Sequence, residues 1–145
     1  ASSAASDVYK RQEQLMYVVS KKHPMAKKKC MTIEDFRDEN LLMFNVDSVQ
    51  NELLKNRFNQ LKLNPRIIMR SSQLYTTLKF IDNGSCGCFL FSDMLPHFKQ
   101  YKGIPLEPPI DVNIGIVWKK GNFLSHSAQL FIDFAMQYCS ENITT

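Results

Sequence analysis

The residues best suited to chemistry are a pair of cysteines, Cys86 and Cys88, and three histidines in a chain of 145 residues. A cysteine nucleophile needs a base such as histidine within hydrogen-bond reach. No local motif places His97 or His126 beside the cysteine pair, and no other arrangement typical of catalysis is present. The sequence therefore predicts a protein that is not an enzyme.

Metal and cofactor chemistry also lack a signature. The four cysteines, at positions 30, 86, 88 and 139, form neither a C-x-x-C pair nor the spacing of a zinc site. His23 precedes Pro24 and has no visible partner in the sequence, so a role as a base or metal ligand has no support. We expect no metal and no cofactor, and a redox role of the cysteines stays open.

The stretch Arg66–Phe91 gathers polar residues at the junctions of a predicted strand, helix and strand. Its run 67–69 is short and apolar, which favours a strand buried on both faces. Ser71 and Ser72 follow as N-cap candidates of a helix whose apolar residues recur at spacings of four and three. Strands joined by a packed helix run parallel, and ligands bind beyond their carboxyl ends, where Arg70 and the two serines lie.

A second strand-helix-strand unit precedes this one, and its last strand is the first strand of this one. Leu41–Asn45 is predicted to be a strand, and Asp47 or Ser48 is predicted to cap a helix that ends at Asn64-Pro65. The predicted helix carries an amphipathic stripe of Val49, Leu53, Leu54, Phe58 and Leu61. Two such units predict the α/β class.

The rest of the chain supplies flanking elements. Leu15–Val19 is predicted to be a strand that ends at Ser20, and residues 104–109 are predicted to be a stiff proline-rich connector. A strand over Ile110–Trp118 precedes a helix from Ser125, whose apolar face is broad enough to be mostly core.

The composition, with 44% hydrophobic and 22% charged residues, is ordinary for a globular domain. The apolar runs are too short to cross a membrane, so we expect a cytoplasmic protein without a membrane partner. Five lysines in residues 21–29 predict an extended surface crossing around His23 and Pro24. The alternative is a nucleic-acid patch, although no aromatic residues are interleaved for stacking.

Residues 2–12, with the sequence SSAASDVYKRQ, differ from everything after them and resemble a translated sequencing adapter. We interpret residues 1–12 as a non-native segment. The native protein is then expected to continue upstream of Glu13, which would make the chain a fragment.

Four segments together carry a family resemblance. HPMA at residues 23–26 and TIEDFRDENLLMF at 32–44 match two motifs of the LysR-type transcriptional regulators. The helix and strand at 71–91, and the closing strand and helix at 107–139, match two more. The chain from Glu13 onward thus resembles the carboxyl-terminal part of their effector-binding domain. It departs from the family at Ser85 and Cys86 and again at residues 91–92.

The resemblance implies a fold like the type 2 periplasmic binding proteins, with one near-complete subdomain and remnants of the second. Residues 23–105 would form effector-binding subdomain II, and residues 13–22 with 106–145 would belong to subdomain I. A small-molecule effector would bind in the cleft between subdomains. The expected contacts are Asn45, Val46, Arg70, Ser71 and Ser72, with Cys86 and Gly87 behind them. The two serines either contact the effector or only cap their helix.

The resemblance also implies partners. The intact protein would be a homodimer or tetramer that reaches DNA only through an amino-terminal domain outside this sequence. The dimer surface would comprise Asp47–Lys62 and Arg66–Arg70, with Gln50 and Leu54 facing outward. The predicted function is effector sensing in a LysR-type regulator. The alternative is a solute-binding protein of a transport system with the same fold.

Overall fold

This computed structural model describes residues 5–119 and 123–142, which contain six strands and three α-helices. Short 3₁₀-helices lie at Pro24–Lys27, Glu34–Phe36 and Ser92–His97. The longer elements are β1 (Ala5–Ser20), β2 (Asn40–Met43), α1 (Val49–Gln60), β3 (Arg66–Arg70), α2 (Leu74–Ile81), β4 (Gly87–Phe91), β5 (Tyr101–Pro105), β6 (Asp111–Lys119) and α3 (His126–Asn142).

The contacts divide the chain into two compact units. One is Gln14–Asp111, and the other combines Ala1–Glu13 with Val112–Thr145. The first unit is longer at both ends than the predicted subdomain of residues 23–105. One reason is that Leu15–Val19 of β1 pairs with β4 inside this unit. The assignment of the units to effector-binding subdomains stays a prediction.

The sheet of the Gln14–Asp111 unit has the strand order β3-β2-β4-β1-β5. β2 runs parallel to both β3 and β4, whereas β1 is antiparallel to β4 and to β5. Both predicted strand-helix-strand units are therefore present, as β2-α1-β3 and β3-α2-β4. The predicted α/β class is confirmed.

Two apolar clusters fill the two faces of this sheet. The neighbouring β1 residues Tyr17 and Val18 belong to different clusters, as the two-residue period of a strand requires. α1 contributes Leu54 to the cluster of Tyr17, and α2 contributes Leu78 and Ile81 to the cluster of Val18. The two helices thus cover opposite faces and hold the strand ends between them.

β3 is an edge strand, so the prediction that it is buried on both faces is wrong. A register shift separates the pairs Leu41↔Ile67 and Leu42↔Met69, which leaves Ile68 as the extra residue of a β-bulge. Ile68 is 50% exposed, while Ile67 and Met69 pack against different clusters. Position at the edge, which the local sequence does not encode, decides this exposure.

α1 begins as predicted but buries a narrower stripe. Ser48 is its N-cap, with Oγ accepting a hydrogen bond from the Asn51 N–H at 3.2 Å. Leu54 is buried, whereas Val49 and Leu61 are 61% and 48% exposed. Val49 is five residues from Leu54, about 140° around a helix of 3.6 residues per turn, and Leu61 follows the last helical residue. Leu54 is 1% exposed, so the prediction that it faces outward is wrong.

The predicted connector at residues 104–109 is in part a strand. β5 pairs Tyr17 with Ile104 and Met16 with Pro105. Proline is tolerated there because β5 is at the sheet edge, where its missing N–H leaves no ladder bond unmade. The prediction is wrong for Ile104 and Pro105, because their pairing partners in β1 are distant in sequence.

In the other unit, β6 pairs with β1 and α3 follows. α3 begins at His126, close to the predicted start near Ser125. The Ser125 side chain caps it by accepting a hydrogen bond from the Ala128 N–H at 3.2 Å. The prediction of a broad core face is wrong. Of the predicted face, Ile132 is 5% exposed, but Phe131 and Met136 are 62% and 45% exposed.

Candidate functional site

The carboxyl ends of β2 and β3 lie side by side at one end of these strands. These parallel strands end side by side, since Met43 pairs with Arg70. The Ser71 N–H donates a hydrogen bond to the Met43 carbonyl at 3.1 Å, which holds the two departing loops together. Open α/β sheets bind ligands at this position. We call the residues Asn45, Val46, Arg70, Ser71 and Ser72 the carboxyl edge.

Arg70 is fixed in place by a buried asparagine. Its Nη1 donates to the Asn51 Oδ1 at 2.8 Å and to the Phe44 carbonyl at 3.3 Å. The Asn51 Nδ2 in turn donates to the Val46 carbonyl at 3.1 Å, and Asn51 is 5% exposed. Asn51 thus joins α1 to both loops of the carboxyl edge. We did not predict this role, although an asparagine three residues before Leu54 on the buried side of α1 was a signal.

The serines do not cap α2, so that prediction is wrong. The N-cap of α2 is Gln73, whose side chain makes no capping hydrogen bond. The Ser71 Oγ accepts from the Gln73 N–H at 3.1 Å, just before the helix. Within the described residues, the exposed Ser72 hydroxyl has no hydrogen-bond partner. Ser72 is therefore available to a ligand, whereas Ser71 shapes the loop.

Asn45 and Val46 form the other loop of the carboxyl edge. The Asn45 carbonyl accepts from the Ser48 N–H at 3.0 Å, so a turn connects this loop to α1. The Val46 side chain is 63% exposed. The loop therefore offers one polar and one apolar side chain beside Ser72 and Arg70.

Cys86 and Gly87 lie at the amino ends of the parallel strands, which we call the opposite edge. The structure therefore does not bring them together with the other five predicted residues. β4 begins at Gly87, which pairs with Leu41 in the first half of β2. A Cβ on Gly87 would lie 2.4 Å from the Tyr17 Cζ, so the position is also filled. Burial raises the pKa of the Cys86 thiol, and it raises the pKa of Cys88 to about 12. Both thiols stay protonated and make poor nucleophiles.

A buried polar cluster lies near this opposite edge. The Tyr17 hydroxyl donates to the Glu39 Oε2 at 2.8 Å, and the His23 Nε2 is 3.3 Å from the same oxygen. The His23 Nδ1 accepts from the Met25 N–H at 3.2 Å. The expectation that His23 has no partner is wrong, because Glu39 is its partner. Glu39 lies too far along the chain for a local motif to reveal the pair. Burial lowers the pKa of His23, while the Glu39 carboxylate opposes that shift.

The lysines of residues 21–29 are exposed, as predicted, but Pro24–Lys27 is a 3₁₀-helix, so the prediction that this crossing is extended is wrong. Lys28 pairs with Asp35 at 2.6 Å, and the Asp35 Oδ2 also accepts from the Thr32 N–H at 2.9 Å. The second bond is one half of a capping box. The alternative that this crossing binds nucleic acid stays a prediction.

Among the residues that the structure describes, no group of three His, Cys, Asp or Glu side chains could hold a metal ion. No helix within the described ranges is both long and apolar enough to cross a membrane.

Comparison with protein families gives one match over most of the chain. The model of the LysR substrate binding domain matches residues 9–140. A curated relative, the uncharacterized HTH-type transcriptional regulator YybE of Bacillus subtilis (strain 168), is 25% identical over 131 residues. The match covers 89% of this chain and 44% of that protein, so the chain spans less than half the length of this relative.

Two solved structures share the fold. The effector binding domain of QuiR in complex with shikimate has a TM-score of 0.80 at 20% identity, covering 96% of this chain and 67% of that one. The regulatory domain of CcmR from Synechocystis PCC6803 in complex with 2-PG has a TM-score of 0.83 at 19% identity, covering 93% and 67%.

Proposed function

The chain belongs to the LysR substrate-binding domain family, and we propose that in the intact regulator it senses a small-molecule effector at the carboxyl edge. Effector-binding domains of this family have the type 2 periplasmic-binding-protein-like fold, so the predicted fold class is confirmed. The alternative of a solute-binding protein is not favoured, because the family and the curated relatives are transcriptional regulators.

One observation carries the proposal: the Met43↔Arg70 pair brings both loops of the carboxyl edge together. Arg70 offers a fixed cation, Ser72 an unpaired hydroxyl, and Asn45 and Val46 a mixed polar and apolar wall. Such a set suits a small polar or anionic molecule, which a few hydrogen bonds orient on an apolar surface. QuiR and CcmR, which share the fold, were solved with the small molecules shikimate and 2-PG.

Effector binding would regulate by population shift. The effector stabilises the conformation to which it binds more tightly, and the proposal assigns no covalent step to the domain. We also propose that the intact regulator is cytoplasmic, is not an enzyme and contacts DNA through a separate domain.

A dimer surface is also part of the proposal. Val49 on α1 and Ile68 on β3 are 61% and 50% exposed, and Leu61 just after α1 is 48% exposed. Apolar side chains exposed on adjacent elements are typical of a surface that a partner covers. The partner would be a second copy of the regulator, in a homodimer or tetramer.

Ligand-induced thermal stabilisation tests the effector proposal. The chain is screened against small acids and polyols beginning with shikimate, and each compound that raises Tm is titrated. We expect the double variant Ser71→Ala, Ser72→Ala to weaken binding about tenfold, since a hydrogen bond to a charged group contributes roughly 1.5–3 kcal/mol.

Ser85→Ala is the matched control, because Ser85 lies beyond the opposite edge, where its carbonyl accepts from the Asn40 Nδ2 at 3.1 Å. The control should bind like the wild type. A compound that binds the double variant as tightly as the wild type would refute the assignment of the carboxyl edge.

A further inference from the structure

A small notch opens between α1, the turn after it, and the last residues of β2 and β3. It has a volume of about 90 Å³. One water needs roughly 10–15 Å³, so the notch has room for several waters or a small organic anion. We call this cavity the α1 notch. Its lining includes Met43, Lys55, Phe58, Asn59, Leu63 and Arg70.

Two cationic residues, Lys55 and Arg70, line the α1 notch and have unused hydrogen-bond donors. Both protein bonds of Arg70 come from Nη1, and within the described residues Nε and Nη2 have no acceptor. The Lys55 ammonium makes no ion pair or hydrogen bond in the part of the chain that the structure describes. No carboxylate lines the notch. Two positive charges thus share a concave site without a counter-ion from its walls.

Arg70 is also held ready for a ligand. Asn51, which is 5% exposed, accepts from its Nη1 at 2.8 Å and fixes the plane of the guanidinium. A carboxylate bonds to two guanidinium nitrogens in parallel, and a fixed plane reduces the entropy lost on binding. The side chain that orients Arg70 is buried, so the donor geometry persists without the ligand.

The floor of the α1 notch is apolar. Met43, Phe58 and Leu63 are 4%, 3% and 5% exposed. Their side chains offer contact to carbon atoms, whereas an inorganic anion has no apolar part to place there. Asn59 also lines the notch. The walls therefore suit an anion with a short hydrocarbon tail.

We propose that the α1 notch binds a carboxylate, with Arg70 Nε and Nη2 donating to its two oxygens and Lys55 supplying the second charge. The carboxylate belongs either to a free short-chain acid or to an Asp or Glu side chain of a second copy of this chain. The notch overlaps the proposed effector site only at one residue. Arg70 belongs to both, but Lys55 lines only the notch, so substitutions of Lys55 test this proposal alone.

Nuclear magnetic resonance of the 145-residue chain tests the proposal. The Arg70 Nε–Hε signal is followed during titration with propionate, and we expect a saturable shift. Lys55→Gln should weaken binding about tenfold, as the loss of one charge-assisted contact does. Lys99→Gln removes the same charge from an exposed residue outside the notch and should bind like the wild type. Equal weakening in the two variants would overturn the proposal.

Two further arms define the ligand. Inorganic phosphate should shift the Arg70 signal less than propionate at equal concentration, and a larger shift would overturn the carboxylate assignment. Analytical ultracentrifugation separates the two sources. Self-association that propionate and Lys55→Gln both weaken assigns the carboxylate to a second copy. Self-association that neither changes, together with saturable propionate binding, assigns it to a free acid. Absence of both effects would overturn the proposal.

Discussion

The buried hydrogen bond from Tyr17 to Glu39 should couple β1 to the start of β2 energetically. The Tyr17 hydroxyl is 2.8 Å from the Glu39 Oε2, Tyr17 is fully buried, and the Glu39 side chain is 13% exposed. A hydrogen bond to a charged group contributes roughly 1.5–3 kcal/mol, and we expect Tyr17→Phe to lower the free energy of unfolding by about this amount. The phenylalanine keeps the ring contacts, so the loss reports the hydroxyl.

A double-mutant cycle isolates this pair. Glu39→Gln keeps an acceptor but removes the charge, so we expect it to cost about 1 kcal/mol. In the double variant the two losses should not add, and the coupling should be about 1 kcal/mol, no larger than the Glu39→Gln loss itself and within the range for residues in contact. Each free energy is measured by urea unfolding followed by circular dichroism.

Tyr75→Phe is the matched control, because Tyr75 is 74% exposed and its substitution should change stability by less than about 0.5 kcal/mol. A coupling below about 0.5 kcal/mol between Tyr17 and Glu39, the level at which distant sites still add, would refute the reasoning. An unchanged denaturant slope across the variants is required for the comparison.

Three further outcomes are expected. Asn51→Ala should lower the free energy of unfolding by about 1–3 kcal/mol in urea, since it removes the hydrogen bonds of Asn51 to Arg70 and to the Val46 carbonyl; a loss under about 0.5 kcal/mol would contradict this. Gly87→Ala should lower the free energy of unfolding by about 1–3 kcal/mol, because its Cβ would lie 2.4 Å from the buried Tyr17 ring. Gly103→Ala should lower it less, because its Cβ would lie 2.3 Å from a methyl of Leu95 that can rotate away. Equal losses in the two variants would contradict this difference. Burial lowers the pKa of His23, so the unfolded state binds more protons, and stability should fall as pH drops below about 6.5; His23→Gln should remove that part of the pH dependence in urea unfolding.

Local sequence was sufficient for most element positions and for the family. The cap at Ser48 and the helical spacing in α2 depend on residues three or four apart, and both are present in the structure. The family motifs are likewise contiguous, so a single sequence displays them in full. These features could be predicted because their causes lie within one or two turns of the chain.

Tertiary structure decided the features that depend on strand order and direction. Cys86 and Gly87 are at the opposite edge because β4 runs parallel to β2. Ile104 and Pro105 belong to β5 because they pair with β1. The bond from Arg70 to Asn51 and the bond from Tyr17 to Glu39 join residues 19 and 22 positions apart. Such contacts form only when packing brings distant segments together, because no local pattern in the sequence specifies which polar groups will become neighbours.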